Sequence, residues 1–410
     1  MASPDRHSNT RPLRVLRVIA SLDPAVGGPA ESSVNSCIAA QRAGVETTVL
    51  VPVTCQAAGI VEPVIRRLRG EGVTVRTFRV TPDRSYYSHR WAISLGLIAW
   101  LGRHLREYDV LHVHATWGLS QLCGVLLATA LQRPCVVTPH EGLTSFDLEP
   151  LRPSLRSLAK KVAKKFYLKR PTLIVFSSRL EAKDSLPSPP LGHTVVLAHP
   201  LRDALEVPRT ESPERPRATR IGFLGRLHEK KNLDVLMRAV DAVSDEAQLI
   251  IAGDGPRRYR EQLQKLAIDL DIAQRVEWLG FVEGSRKWRF LDGIDILVMP
   301  SRYECFGMAA AEAMARGTAT IVSSETGIAE LVRASDGGLT APPTVSGISI
   351  ALAELVYDPA RLTEVAIHGA RAAESVLSLD AHGTAIRRHY ENLVELSRRS
   401  LERSPRVPSA

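Results

Sequence analysis

Short apolar runs rich in Val, Ile and Leu alternate with longer segments of helical period from one end of this chain to the other. In the first half Leu13–Ala20, Thr47–Val53, Val73–Val80, Asp109–His114, Cys135–Pro139 and Leu173–Ser177 read as strands. Ala30–Ala43, Arg90–Leu105, Ser120–Leu131 and Leu155–Leu168 read as helices. The strand runs are apolar at successive positions rather than at every second one. Strands of that kind are covered on both faces, and their alternation with helices builds βαβ units around a parallel sheet.

The pattern then breaks. Pro187, Pro189, Pro190, Pro200, Pro208, Pro213 and Pro216 crowd one region with charges between them, and its end, 207–218, reads as a linker. Beyond it Arg220–Gly225, Gln248–Gly253, Val276–Gly280, Ile294–Met299 and Thr320–Ser323 read as strands, and Asn232–Val243, Arg257–Leu270, Gly307–Arg316 and Ile348–Val356 as helices. A last helical run, His382–Leu401, follows a candidate cap at Asp380. The expected fold is α/β: a Rossmann-like domain over 13–206, a second over 219–379, and a closing helix over 380–402. The segments 1–12 and 403–410 read as disordered ends. Open parallel sheets bind ligands at the carboxyl ends of their strands, so both domains should point their loops into a shared cleft.

Size and charge narrow the function. A chain of 410 residues exceeds one ordinary core. Its 44% hydrophobic and 24% charged residues are those of a soluble globular protein. The apolar run nearest to a membrane span, Ile93–Leu101, is too short for one, and the polar start of the chain lacks the apolar core of a secretory leader. Five cysteines without metal-ligand spacing read as free thiols in a reducing, cytoplasmic compartment. The net charge of +9 belongs to the first half, where residues 1–200 hold 25 Lys and Arg against 14 Asp and Glu. Such a field draws anionic substrates or surfaces.

Candidate chemistry concentrates at the strand ends of the second half. Gly225-Arg226 ends one strand, and Lys231 follows at the start of a helix, so two cations reach one anionic group. Gly253 and the Gly280-Phe281-Val282 stretch end the next strands and are candidates to lie beside a nucleotide. Glu304 and Glu312 stand eight residues apart in ECFGMAAAE, with Phe306, Gly307 and Met308 between them. Gly307 opens a small-residue helix whose free N–H groups suit a phosphate, and Glu312 sits where a carboxylate can accept from ribose hydroxyls.

These stretches, GRLHEKKNLDVL, IIAGDGP, PSRYECFGMAAAEAMARG and SSETGIAEL, resemble the C-terminal half of the retaining glycosyltransferases of the GT-B fold, family 4. The resemblance implies that Arg226 and Lys231 hold the donor diphosphate, that Glu312 binds the ribose and that Glu304 lies beside the donor sugar. It also implies backbone contacts from Phe306, Gly307 and Met308, and a C-terminal helix that returns to the first domain. In the first half Gly27-Gly28-Pro29 resembles the family's glycine loop, His112-Val113-His114 its H-x-H stretch, and His140 its histidine next to the donor sugar. Glu141 stands where many relatives have glycine. With Asp147 and His114 it forms a candidate acceptor side, whose carboxylates suit a cationic acceptor or are simply solvated. The implied reaction moves a hexosyl unit from a UDP- or GDP-sugar to a hydroxyl of a glycan, lipid-linked saccharide or small molecule. No metal or other cofactor is expected, since no Asp-x-Asp motif stands where it would bridge the phosphates.

Lys160, Lys161, Lys164 and Lys165 share one broad face of a basic helix, a candidate contact with an anionic membrane at its cytoplasmic face or a plain solvated surface. Nucleic acid is not an expected partner, since the segment lacks interleaved aromatics. Two other readings fit the fold: a nucleotide-sugar 2-epimerase and a non-catalytic partner in polysaccharide assembly. The combination of Arg226, Lys231, Glu304 and Glu312 favours transfer over both.

Overall fold

The computed structural model describes residues 11–81, 93–148, 155–186, 193–209, 218–244 and 246–403. The first sheet comprises β1 (Arg14–Val18), β2 (Glu46–Val53), β3 (Thr74–Arg79), β4 (Val110–His114), β5 (Cys135–Thr138), β6 (Leu173–Phe176) and β7 (Thr194–Val196). These strands lie all parallel in the order β3-β2-β1-β4-β5-β6-β7. The second comprises β8 (Arg220–Leu224), β9 (Gln248–Ala252), β10 (Val276–Gly280), β11 (Ile296–Met299), β12 (Ala319–Ser323) and β13 (Leu339–Ala341), also parallel, in the order β10-β9-β8-β11-β12-β13. Central strands such as β4 and β12 are buried at every position, their polar residues included, as strands covered on both faces are.

Strand order reverses between β1 and β4 in one sheet and between β8 and β11 in the other. Each reversal opens a crevice at the carboxyl ends. The two crevices face each other: a Cβ on Gly28 of the first lobe would lie 3.2 Å from Met308 Cγ of the second. Phe146 of the first lobe stacks on Tyr303 of the second, ring centroids 5.0 Å apart.

The helix Leu379–Arg403 packs against Gly28–Arg42 of the first lobe. It starts at Leu379, so Asp380 lies in its first turn, and Ser378 caps it by accepting from Ala381 N at 3.3 Å. Tyr390 of this helix is fully buried behind β1 and β4. The return path also differs in detail from a free linker. Leu201 and Ala204 already pack in the core of the second lobe. Arg316, buried with Asp292 in a two-pronged ion pair at 2.7 and 2.8 Å, donates to the carbonyls of Val207 and Pro208.

Several elements escaped the sequence pattern. The helix Ala58–Gly70 holds Pro63 and buries only Val61, Ile65 and Leu68, so its apolar stripe is thin. Gly284–Asp292 is nine residues long and Ala329–Ser335 seven. Pro359–Leu377 begins with a proline, which suits the first helical position because its missing N–H has no partner to lose. β7 and β13 are three-residue edge strands.

Candidate functional site

The turn after β8 is built to present Lys231. Asn232 takes a left-handed backbone, φ 59°, and its buried amide donates to the carbonyls of Pro300 and Pro343 at 3.1 and 3.0 Å. That staple ties the β8 turn to the loop after β11 and brings Lys231 Nζ to 2.5 Å from Glu304 Oε1. Arg226, one residue past Gly225, is exposed and makes no ion pair among the described residues. Glu304 is itself anchored: its N–H donates to Glu325 O at 3.1 Å, and its carbonyl accepts from Gly327 N at 2.9 Å. Among the described residues the site thus offers Arg226 without an ion pair and Lys231 held by a carboxylate.

Gly253 has a reason other than nucleotide packing. A Cβ there would lie 1.8 Å from Gly225 O, and its φ is +152°. Its N–H donates to Gly280 O at 2.7 Å, and Gly225 N donates to Ala252 O at 3.0 Å, so the three strand ends are laced together. Gly307, φ +116°, caps the helix Met308–Ala315, and any side chain would strike Met299 and Ile328. Phe306 is buried edge-on to His199, ring centroids 5.2 Å apart, so only its backbone is available to a ligand. Phe281 is exposed and Val282 buried at the end of β10.

Glu312 is buried, and Lys287 Nζ lies 2.8 Å from its Oε1. The same ammonium lies 3.5 Å from Glu31 of the first lobe and 4.3 Å from the Trp288 ring centroid. Burial pushes the Glu312 carboxyl up to about 7 against the pull of Lys287. For Lys287 burial works against the charge, but the two carboxylates outweigh it and its pKa ends above the ordinary lysine value.

Across the cleft, one buried cation orders a set of histidines. Arg17 is fully buried, and its guanidinium donates to Ser36 Oγ at 2.9 Å, Tyr390 OH at 2.9 Å and His114 Nε2 at 3.3 Å. An arginine only donates. His114 Nε2 is therefore an acceptor, and its Nδ1 faces His140 Nε2 at 3.2 Å, a nitrogen that Ser33 Oγ also meets at 3.2 Å while donating to Pro29 O at 2.7 Å. His140 Nδ1 is buried and has no partner among the described residues. Tyr390, accepting from Arg17, gives its proton to His112 Nδ1 at 2.6 Å, and His112 Nε2 donates to Thr138 Oγ1 at 2.8 Å. Burial holds all of them neutral, depressing His140 to about 4 and His382 to about 3, with His112, His114 and His199 also well below the ordinary value.

His140 and Glu141 both sit at positive φ, 49° and 72°, a pairing that costs backbone energy in non-glycine residues. The turn is held by the buried carboxylate of Glu181, which accepts from Glu141 N at 2.7 Å and from Ser177 N and Oγ, each at 2.7 Å. Its burial raises the Glu181 pKa.

The expected acceptor side is rearranged. His114 is buried with both ring nitrogens engaged, so it supports His140 rather than meeting an acceptor. The Glu141 side chain forms an ion pair with Lys230 of the second lobe, so its charge is spent across the cleft rather than on a cationic acceptor. Lys230 also lies 4.7 Å from the Phe146 ring and 5.4 Å from that of Tyr303. Asp147 lies in the short helix Ser145–Leu148, and its side chain is outside the described residues. On the basic helix Leu155–Lys169, Lys160 is buried against Trp117 at 4.7 Å and leaves the expected face. Lys161 and Lys165 stay exposed beside Leu158 and Val162.

Sequence reasoning missed Lys230, Lys287, Glu31, Glu181 and Arg17. Lys230 was adjacent to a chosen lysine. Lys287 and Glu31 meet only where the two lobes meet, and Glu181 and Arg17 find their partners on distant parts of the chain. No metal-binding cluster lies at the cleft among the described residues; one group of Asp336, Glu364 and His368 lies on the far surface, where Arg361 pairs with both carboxylates.

Comparison with known proteins agrees with this geometry. Residues 218–358 match the family model described as glycosyl transferases group 1, and residues 27–190 match the glycosyl transferase 4-like domain. The D-inositol 3-phosphate glycosyltransferase 1 of Catenulispora acidiphila is 30% identical over 344 residues, covering 78% of this chain and 80% of that protein. An uncharacterized glycosyltransferase of Methanocaldococcus jannaschii is 37% identical over 123 residues, 30% of this chain and 31% of that protein. The crystal structure of Anabaena HepE in complex with UDP-glucose superposes with a TM-score of 0.72 at 18% identity, over 93% of this chain and all of that one.

Proposed function

The chain belongs to the group 1 glycosyl transferases, and we propose that it moves a hexosyl unit from a nucleoside-diphosphate sugar to an acceptor hydroxyl with the anomeric configuration kept. The observation that carries this reading is the Lys231–Glu304 pair beside the exposed Arg226, at the carboxyl-end crevice between β8 and β11. A diphosphate entering there meets two cations and the free N–H groups at Gly307, while Glu304 is left facing the sugar.

Breaking the bond from the sugar's C1 to the diphosphate oxygen leaves negative charge on the diphosphate and positive charge on the ring. Arg226 and Lys231 stabilise the first in a partly water-excluded site, where fixed charges act most strongly. The acceptor hydroxyl attacks from the same face, and its proton goes to the departing diphosphate oxygen. No enzymatic nucleophile is needed. His140 acts as a positioning residue, its ring set by His114 and Ser33 and its Nδ1 without a partner among the described residues. The cations supply the charge stabilisation that a bridging metal gives other transferases, so turnover should survive excess EDTA.

The relatives suggest what to test. The Catenulispora protein's name makes inositol 3-phosphate one acceptor, and the HepE complex makes UDP-glucose one donor. The decisive assay incubates the chain with UDP- and GDP-hexoses, with and without inositol phosphate, polyprenyl-linked and glycan acceptors, followed by NMR of the product linkage. Transfer with retention supports the proposal. An epimerised nucleotide sugar formed from donor alone replaces it with the isomerase reading, and no binding of any nucleoside diphosphate sugar replaces it with the non-catalytic one. Sedimentation with anionic vesicles tests the exposed Lys161, Lys165, Leu158 and Val162 surface as a membrane contact.

A further inference from the structure

Lys287 lies outside every motif that the family resemblance supplies, on the helix Gly284–Asp292, yet its ammonium sits at the meeting point of both lobes. It is nearly buried, packed over Trp288, and shared between Glu312 of the second lobe and Glu31 of the first. A lysine in such a place loses hydration and side-chain freedom, and that cost is offset only where the charge has work on both sides.

The work is visible at Glu312. This carboxylate is buried at the helix Met308–Ala315, where an isolated charge would take up a proton. A ribose is best held by an ionised carboxylate with a fixed orientation, since a charged acceptor binds hydroxyl protons more strongly than a neutral acid does. Lys287 provides both conditions at 2.8 Å, leaving the second carboxylate oxygen for a ligand.

We propose that Lys287 is a positioning residue of the donor subsite: it keeps the Glu312 carboxylate ionised and aimed for the ribose hydroxyls. The inference rests on the reading of Glu312 as the ribose acceptor. The charged groups facing Glu312 are Lys287 from Gly284–Asp292, Glu31 from Gly28–Arg42 and Asp203 from the short helix Asp203–Glu206. Lys287 favours ionisation and the two carboxylates oppose it. Removing the ammonium therefore moves Glu312 toward its protonated form at neutral pH.

The test compares UDP with 2′,3′-dideoxyuridine diphosphate, and GDP with its dideoxy form, by calorimetry between pH 6 and pH 9 on the full chain. The wild type should prefer whichever ribose ligand it binds over the dideoxy form by about tenfold at pH 7.5, the worth of one charge-assisted hydrogen bond. Lys287→Met should bring that ratio toward one at pH 7, since burial and the two neighbouring carboxylates then favour the protonated acid unopposed. Lys287→Arg should keep the ratio at pH 7, and Lys287→Met combined with Glu312→Gln should lack it at every pH. A general packing defect would weaken ribose and dideoxy ligands alike and leave the ratio intact. Full discrimination in Lys287→Met at pH 7, or a Lys287→Arg variant that loses it, overturns the inference. A wild type that binds no nucleoside diphosphate, or binds both forms equally, overturns instead the ribose role of Glu312.

Discussion

Lys231 Nζ and Glu304 Oε1 stand 2.5 Å apart, brought together by the Asn232 staple between the β8 turn and the loop after β11. The pair lies at the crevice between β8 and β11, where the proposed function has a diphosphate take the ammonium from the carboxylate. Opposite effects follow from removing each partner. Lys231→Ala should weaken nucleoside diphosphate binding by about ten- to a hundredfold, the worth of a charged hydrogen bond in a partly buried site, and abolish transfer. Glu304→Gln should bind UDP or GDP at least as tightly as the wild type while transfer is lost. Calorimetry and a radiolabelled transfer assay separate the two, and equal losses of affinity would contradict the pairing.

Tyr390 ties the C-terminal helix to the first lobe through Arg17 and His112. Tyr390→Phe keeps the ring but strips the hydroxyl from a buried guanidinium. The expected cost is about 1–3 kcal/mol in urea unfolding, because a buried donor is left without its acceptor. A change within error would mean that the histidine set orders itself without this helix.

The buried histidines make stability acid-sensitive. Folding depresses His140 to about 4 and His382 to about 3, and lowers His112, His114 and His199 as well. The unfolded chain therefore binds more protons once pH falls below the ordinary histidine value. Stability should be full above about pH 6.5 and fall as pH drops toward 4, with each fully depressed histidine adding about 1.4 kcal/mol per pH unit. Denaturant unfolding at pH 7.5 and pH 5.5 checks the sign, and a flat profile would contradict neutral burial.

The Glu141–Lys230 contact bridges the lobes beside the Phe146–Tyr303 stack. Both charged side chains keep some solvent contact, so Glu141→Gln should change global stability by less than about 1 kcal/mol. Its effect should instead appear as a larger radius of gyration in solution scattering of the ligand-free chain. An unchanged radius would mean that the stacked rings hold the cleft without the ion pair.

Much of this was legible in the residues, and the reasons are local. β11 announces itself because a strand covered on both faces is apolar at every position. Gly307 and Glu312 stood out because a helix start and its second turn are fixed by chain geometry. The roles of Glu141 and His114 were misjudged because both depend on the partner they meet after folding: Lys230 from the other lobe in one case, Arg17 from a neighbouring strand in the other. Lys287 gave no signal at all, since nothing in GSRKWRFLD says that its ammonium will reach two lobes. The need for glycine at 253 was not legible, because it lies in the close approach of the Gly225 carbonyl from another strand end.

The measurement that bears most directly on the account is calorimetric binding of UDP, GDP and the matching nucleosides to the wild type and to the variant that carries both Arg226→Gln and Lys231→Met. The diphosphate should bind the wild type and lose at least about a hundredfold in the double variant, two charged contacts at once, while nucleoside binding is unchanged. Diphosphate binding that survives the double substitution, or nucleoside binding that falls with it, would place the phosphates somewhere other than between these two cations.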